Sequence, residues 1–146
     1  MLKVDIIVVG RLRKGPYYEL SEEYKKRIRW NLSVFELEAE TQAGEIAKIA
    51  ARLDNNAFIV VMDERGNGLK SLDFADTLSK LQDGGTDHLQ VIVGGHEGLT
   101  DEIRDRANLM LSFGQQTWPH MLARIMLLEQ IYRAQQIIAG HPYHRE

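Results

Sequence analysis

The stretch VIVGGHEGL, residues 91–99, sets an apolar run directly before two glycines and a polar turn. The run reads as part of a buried strand, LQVIVGG at 89–95. Glycines just past the carboxyl end of a strand let backbone amides approach a ligand closely, and open α/β sheets bind ligands at that edge. The spacing does not match a dinucleotide fingerprint, because GGHEG lacks G-x-G-x-x-G and follows a late strand. GRLRKGP at 10–16 likewise fails as a phosphate loop, since its second glycine precedes proline instead of Lys-Ser/Thr. By itself GGHEG is equally well a tight strand-to-helix turn, and His96 a surface loop residue.

Outward from this turn, strand-like and helix-like periods alternate along the whole chain. VDIIVV at 4–9 and AFIVVMD at 57–63 are further buried strands, and LSVFELEA at 32–39 alternates as an edge or half-buried strand does. Helical segments fall at 16–30, opening near Pro16, at 43–53 and at 71–81. Thr100 is placed to cap another helix, with Asp101 and Glu102 suiting the positive end of its dipole. ANLMLSF at 107–113 is a last strand, and Pro119 opens a long helix to about Ile138. Repeated βα units with apolar strands predict an α/β fold, a mostly parallel sheet with helices on both faces. No repeat, linker or low-complexity tract divides residues 1–146, so a single domain is expected.

Composition narrows the class of function. At 146 residues the chain is long enough to bury one sizeable core, and its 44% hydrophobic and 27% charged shares are those of a soluble globular protein. The absence of cysteine excludes disulfides and thiolate metal sites, and a cytoplasmic location is the default. The five histidines lack zinc-like spacing, so no metal is expected. The start, MLKVDIIVVGRLRKG, does not read as a secretory signal, and no stretch reaches the roughly 18 apolar residues of a membrane span. Net charge is −3, yet residues 1–30 hold eight Lys/Arg against four Asp/Glu, leaving −7 on the rest. That basic segment, interleaved with Tyr17, Tyr18, Tyr24 and Trp30, has the make-up of a face that tracks phosphates and stacks on bases. The plainer reading of the same make-up, a solvated amphipathic helix with its aromatics in the core, is the one favoured on sequence alone.

Two other loops carry chemistry. LSFGQQTWPH at 111–120 combines a permissive glycine, polar Gln115, Gln116 and Thr117, and the flat face of Trp118, a mixture suited to a nucleoside pocket. MDERGNG at 62–68 also follows a strand, so three loops at one sheet edge are expected to converge. On the last helix Glu129 and Arg133 stand i,i+4, where an ion pair is worth a few tenths of a kcal/mol. Its apolar residues cover more than one core-facing stripe, which predicts burial on two sides and a homodimer packed through this helix.

Taken together, LMLSFGQQTWPHMLARIMLLEQIYRAQQIIAGHPYHRE, VIVGGHEGL and MDERG resemble, in order and over essentially the whole chain, the small SPOUT-class methyltransferases of ribosomal RNA. Within that class the T-x-P-H, E-Q-x-Y-R-A and H-P-Y-H-R elements resemble the family that methylates N3 of a pseudouridine in large-subunit (23S) rRNA. The resemblance implies a trefoil-knotted fold, an exception to the usual absence of threaded connections. It also implies bent S-adenosylmethionine as cofactor, a homodimer, and a substrate recognised on assembled ribosomes. By position, the family's cofactor contacts fall on Met62, Gly94, Phe113, Gly114, Gln115, Gln116, Thr117 and Trp118. Phe113-Gly114 stands where that family usually has Leu-Ser, so a serine hydroxyl contact to the cofactor is not expected there.

In-line methyl transfer requires aligned reactants and removal of the N3 proton. His144 is the expected base, since histidine ordinarily titrates near ~6.5. Tyr143 is expected to stack on or hydrogen-bond the flipped base, and Arg145 to hold a phosphate. The tail is expected to complete a site at the edge of the partner's cofactor pocket. Two alternatives are a ribosome-binding factor without the reaction, separable by cofactor binding, and a tRNA-directed SPOUT enzyme. The HPYHR tail and the lack of an appended RNA-binding domain argue against the second.

Overall fold

Residues of the first strand divide between two cores. The computed structural model describes residues 1–145; Glu146, the last residue of the tail motif, lies outside them. Along β1 (Lys3–Val9), Val4, Ile6 and Val8 enter one hydrophobic cluster, while Ile7 and Val9 enter a second on the opposite face. Leu89, Val91 and Val93 of β4 (His88–Val93) join the first cluster, and Ile92 joins the second. A strand apolar on both sides has to sit inside a sheet covered twice, and these two are its central members. The sheet order is β2-β1-β4-β3-β5, with β2 at Asn31–Leu37, β3 at Phe58–Asn67 and β5 at Leu109–Leu111, and every pair is parallel.

Among the described residues, five helices cover it. On one face α1 (Pro16–Arg27), α3 (Ser71–Asp83) and α5 (His120–Ile138) pack beside one another, with Phe74, Leu78, Leu127, Leu128 and Ile131 wholly or almost wholly buried. On the other, α2 (Gln42–Arg52) contributes Ile46 and Ile49, and α4 (Asp101–Arg104) contributes Ile103. The expected α/β architecture, with helices on both faces, is the one observed, and the alternating strand at 32–39 is the edge strand β2.

Four expectations need correction. The first helix stops at Arg27, where Ile28 turns to extended backbone and into the core. MDERGN is not a loop but the continuation of β3, which shifts register and pairs Asn67 with Leu111. Gly66 makes this possible: a Cβ there would lie 2.6 Å from the Met110 carbonyl carbon, so only glycine lets the two backbones come so close. The helix after Thr100 is a single turn, and the buried Thr100 hydroxyl makes no capping bond. Finally, the wide apolar surface of α5 is taken up largely within the chain, by the sheet, α1 and α3, so that breadth alone does not require a second subunit.

Candidate active site

At the carboxyl ends of β3, β4 and β5 lies a cavity of about 260 Å³. Its wall contains Met62, Gly94, Phe113, Gly114, Gln116, Thr117 and Trp118; Gln115 is exposed and is not part of it. The paired glycines answer to packing as well as to a ligand. A Cβ on Gly94 would fall 2.9 Å from Leu99 Cγ, and one on Gly95 2.7 Å from Val9 Cγ1. Both distances are shorter than real contacts, so the strand end must stay bare for Leu99 and Val9 to pack.

The loop after β5 is held by its own polar groups. Ser112 Oγ accepts from the Gly114 amide at 3.0 Å and lies 2.8 Å from the Gly114 carbonyl, to which it donates. Trp118 Nε1 donates to the Phe113 carbonyl at 3.1 Å, folding the indole back across the cavity mouth, where it remains 38% exposed. Ser112 escaped the sequence reading because its neighbours, not its motif, give it this role.

The opposite wall carries an ion pair that sequence reasoning also missed. Arg104 Nε donates to Asp63 Oδ2 at 2.8 Å, and Arg104 Nη1 reaches Asp101 at 3.1 Å. Burial works against the Asp63 carboxylate, but hydrogen bonds from Arg104 and from the Arg65 amide outweigh it and hold its pKa below the usual aspartate range. The same contact with Asp63 raises the Arg104 guanidinium, so both groups are charged at neutral pH. The signal lay in DER following a strand, but its partner is 41 residues away.

A second cavity, of about 530 Å³, shares the Leu111–Gly114 wall and is closed by Gly68, Leu69, Ser71 and Phe74 on one side and Met126, Glu129 and Gln130 on the other. Glu129 is the link to the tail. Arg133 Nε donates to Glu129 Oε1 at 2.6 Å, its Nη1 stands 3.0 Å from His144 Nδ1, and its guanidinium carbon lies 4.8 Å from the Tyr143 ring centre. Tyr143 meets Tyr132 edge-on with centroids 4.8 Å apart. Burial, and then the Glu129 charge, push the Tyr143 phenol above its ordinary pKa. Arg145 is exposed and forms no ion pair with a described residue. The expected i,i+4 pair of Glu129 and Arg133 is therefore present, but it also holds the tail. None of Tyr143, His144 and Arg145 lines either cavity of its own chain.

Among the described residues no group of three or more His, Asp or Glu is arranged to hold a metal ion, and no helix is long and apolar enough to cross a membrane.

A family model described as "Predicted SPOUT methyltransferase" matches residues 2–144. A protein of Rhodospirillum centenum named ribosomal RNA large subunit methyltransferase H is 46% identical over 151 aligned positions, covering 99% of both chains. Proteins of the same name from Cereibacter sphaeroides and Bradyrhizobium diazoefficiens are 43% and 41% identical, again over 99% of each chain. The family match runs from residue 2 to residue 144 and the relatives align over 99% of both chains: the chain belongs to the SPOUT methyltransferase family.

Proposed function

We propose that this protein uses S-adenosylmethionine to methylate N3 of a pseudouridine in large-subunit rRNA, acting as a cytoplasmic homodimer on assembled ribosomes. The observation that carries the cofactor assignment is the single cavity at the carboxyl edge, where Met62, Gly94 and most of 113–118 face one another. Its donor set fits the group. Leu99, Phe113 and Trp118 offer apolar faces to an adenosine, while the Thr117 hydroxyl and the bare loop backbone offer polar partners. The trefoil knot belongs to the same reading. It rests on membership of the family, while the Gly66 approach to Met110 and the Ser112 amide donating to the Asn67 carbonyl at 2.9 Å hold β5 against the end of β3.

When bound, the cofactor supplies an electrophilic methyl group on a sulfonium. The chain's own residues have to align N3 with it, shield the methyl group from hydrolysis and stabilise the charge left on the nucleobase as the N3 proton passes to solvent. Tyr143 stacks on the flipped base and Arg145 binds a neighbouring phosphate. His144 faces the base from the tail. Because arginine only donates, a hydrogen bond to Nδ1 requires the tautomer with its proton on Nε2, which is then placed to donate to a base carbonyl. A base role for His144 would need Arg133 to release it. The tail completes the partner's cavity, since its three residues stand outside their own.

The test is methylation of ribosomes lacking the modification, with digestion of the rRNA and mass spectrometry of its nucleosides. A methylated pseudouridine is expected. Tight cofactor binding without any methyl transfer to rRNA overturns the reading.

A further inference from the structure

Between β1 and α1 the chain forms a depression of about 330 Å³, lined by Arg11, Arg13, Lys14, Tyr17 and the Met121 side chain. Arg11, Arg13 and Lys14 are exposed, and none forms an ion pair with a described residue. Three exposed cations around one hollow raise the local positive potential and favour an anion there.

The backbone beneath them is fixed. The Gly10 amide donates to the Leu37 carbonyl at 2.8 Å. Arg124, only 3% exposed, donates from Nη2 to the Gly10 carbonyl at 2.8 Å and from Nη1 to Glu36 Oε2 at 2.7 Å. The same Glu36 oxygen accepts from the Leu12 amide at 2.6 Å. Gly10 takes φ 98°, which glycine adopts without strain, and packs under Met121, whose Cε would lie 3.3 Å from a Cβ there. Glu36 therefore answers the buried Arg124, and the cations at the rim have no carboxylate partner among the described residues.

The position of this hollow gives it meaning. Met121 lines it, while His120, one residue earlier on α5, lines the cofactor cavity. Tyr17, 39% exposed, lines the hollow with the cations, and Tyr18, 36% exposed, follows it on α1. Cations alternating with exposed aromatics suit single-stranded nucleic acid, whose phosphates and unstacked bases both find partners. The chain as a whole carries a net charge of −3, so a local group of three cations is where an RNA backbone is most attracted.

We infer that Arg11, Arg13 and Lys14, held by the Arg124–Glu36 clamp, form a binding site for the phosphates flanking the target nucleotide of the RNA substrate. This rests on the proposed rRNA methyltransferase activity. The test is steady-state methylation of unmodified ribosomes at several salt concentrations, with Arg11→Ala/Arg13→Ala/Lys14→Ala, Lys14→Glu alone, and Lys80→Ala on α3 as control. The expected result is a ribosome KM raised tenfold or more in the triple variant with kcat within about twofold. The slope of log KM against log salt is expected to fall by roughly 2 to 3, the share of three phosphate contacts. Lys14→Glu should move KM in the same direction, Lys80→Ala should not, and cofactor affinity by calorimetry should be unchanged in all three. If wild type methylates ribosomes and the triple variant keeps its KM and salt slope, the site is wrong while the activity stands. Loss of cofactor binding in Lys14→Glu also overturns it, because the loop would then serve the cavity. Wild type that methylates no ribosomal RNA overturns the activity itself.

Discussion

Arg133 Nη1 stands 3.0 Å from His144 Nδ1, across eleven residues of chain and the turn at Pro142. An arginine has no acceptor, so this contact is a hydrogen bond only with the Nδ1 lone pair accepting and the ring proton on Nε2. A donor at that place is mimicked by a glutamine amide, whereas a base is not. His144→Gln is expected to keep single-turnover methylation within about tenfold of wild type, and His144→Ala to lose about 100-fold, the scale of one lost transition-state donor. Equal collapse of both variants would identify His144 as the base.

The Arg124–Glu36 pair sets how stability responds to acid. Burial opposes ionisation of Glu36, but the Leu12 amide and Arg124 outweigh it and hold its pKa below the usual glutamate range; Asp63 is lowered in the same sense by Arg104. A lowered folded-state pKa adds stability that is full above the unfolded values, about 4.3 for Glu and 3.9 for Asp. It is lost as pH falls through the lower folded values. Glu36→Gln is expected to cost about 2 kcal/mol at pH 7 by urea unfolding, less than a fully enclosed pair because Glu36 is a third exposed. Below about pH 4.3 the gap to wild type should narrow, whereas a constant gap would mean that Glu36 acts only through packing.

Trp118 gives a readout of the cavity that needs no turnover. Its indole is pinned to the Phe113 carbonyl at the cavity mouth, while the other tryptophan, Trp30, packs against the core beside α5. Adding S-adenosylmethionine to Trp30→Phe is expected to change the remaining emission by a large fraction, and to Trp118→Phe almost not at all. Asp63→Asn, which weakens the hold on Arg104, should shift the same titration to roughly tenfold higher concentration. A titration identical to wild type would place the ligand elsewhere.

How much of this was legible beforehand follows from distance along the chain. β1 and β4 declare themselves because strands covered on both faces have to be apolar throughout, and a Gly-Gly after one of them marks the sheet edge. The polar end of β3 does not, because ERGN is drawn into the sheet only by the close approach that Gly66 allows to Met110. The site divides in the same way. Residues 113–118 form one local loop and were visible as a group. Asp63 with Arg104, and Glu36 with Arg124, are ion pairs 41 and 88 residues apart, and each member alone reads as an ordinary surface charge. The buried cluster of Asp5, His88 and Gln90, at the far end of β1 and β4, is hidden for the same reason: Asp5 and Gln90 are register partners whose sequence separation is 85.

The tail decides whether one chain is a complete enzyme. Tyr143 packs on Tyr132 and His144 on Arg133, yet neither reaches the cavity that Thr117 and Trp118 line. Removing residues 143–146 is expected to leave cofactor affinity unchanged and to abolish methylation. Thr117→Trp, which fills the cavity, should lose both. When the two inactive proteins are mixed, unfolded and refolded together, half of the dimers pair one of each. If the tail serves the partner's cavity, each mixed dimer has one intact site, and activity should return to about a quarter of wild type. If the tail serves its own cavity, no mixed dimer has an intact site and the mixture stays inactive. Recovery near a quarter, with each parent alone inactive, is the result expected of a site built from two subunits.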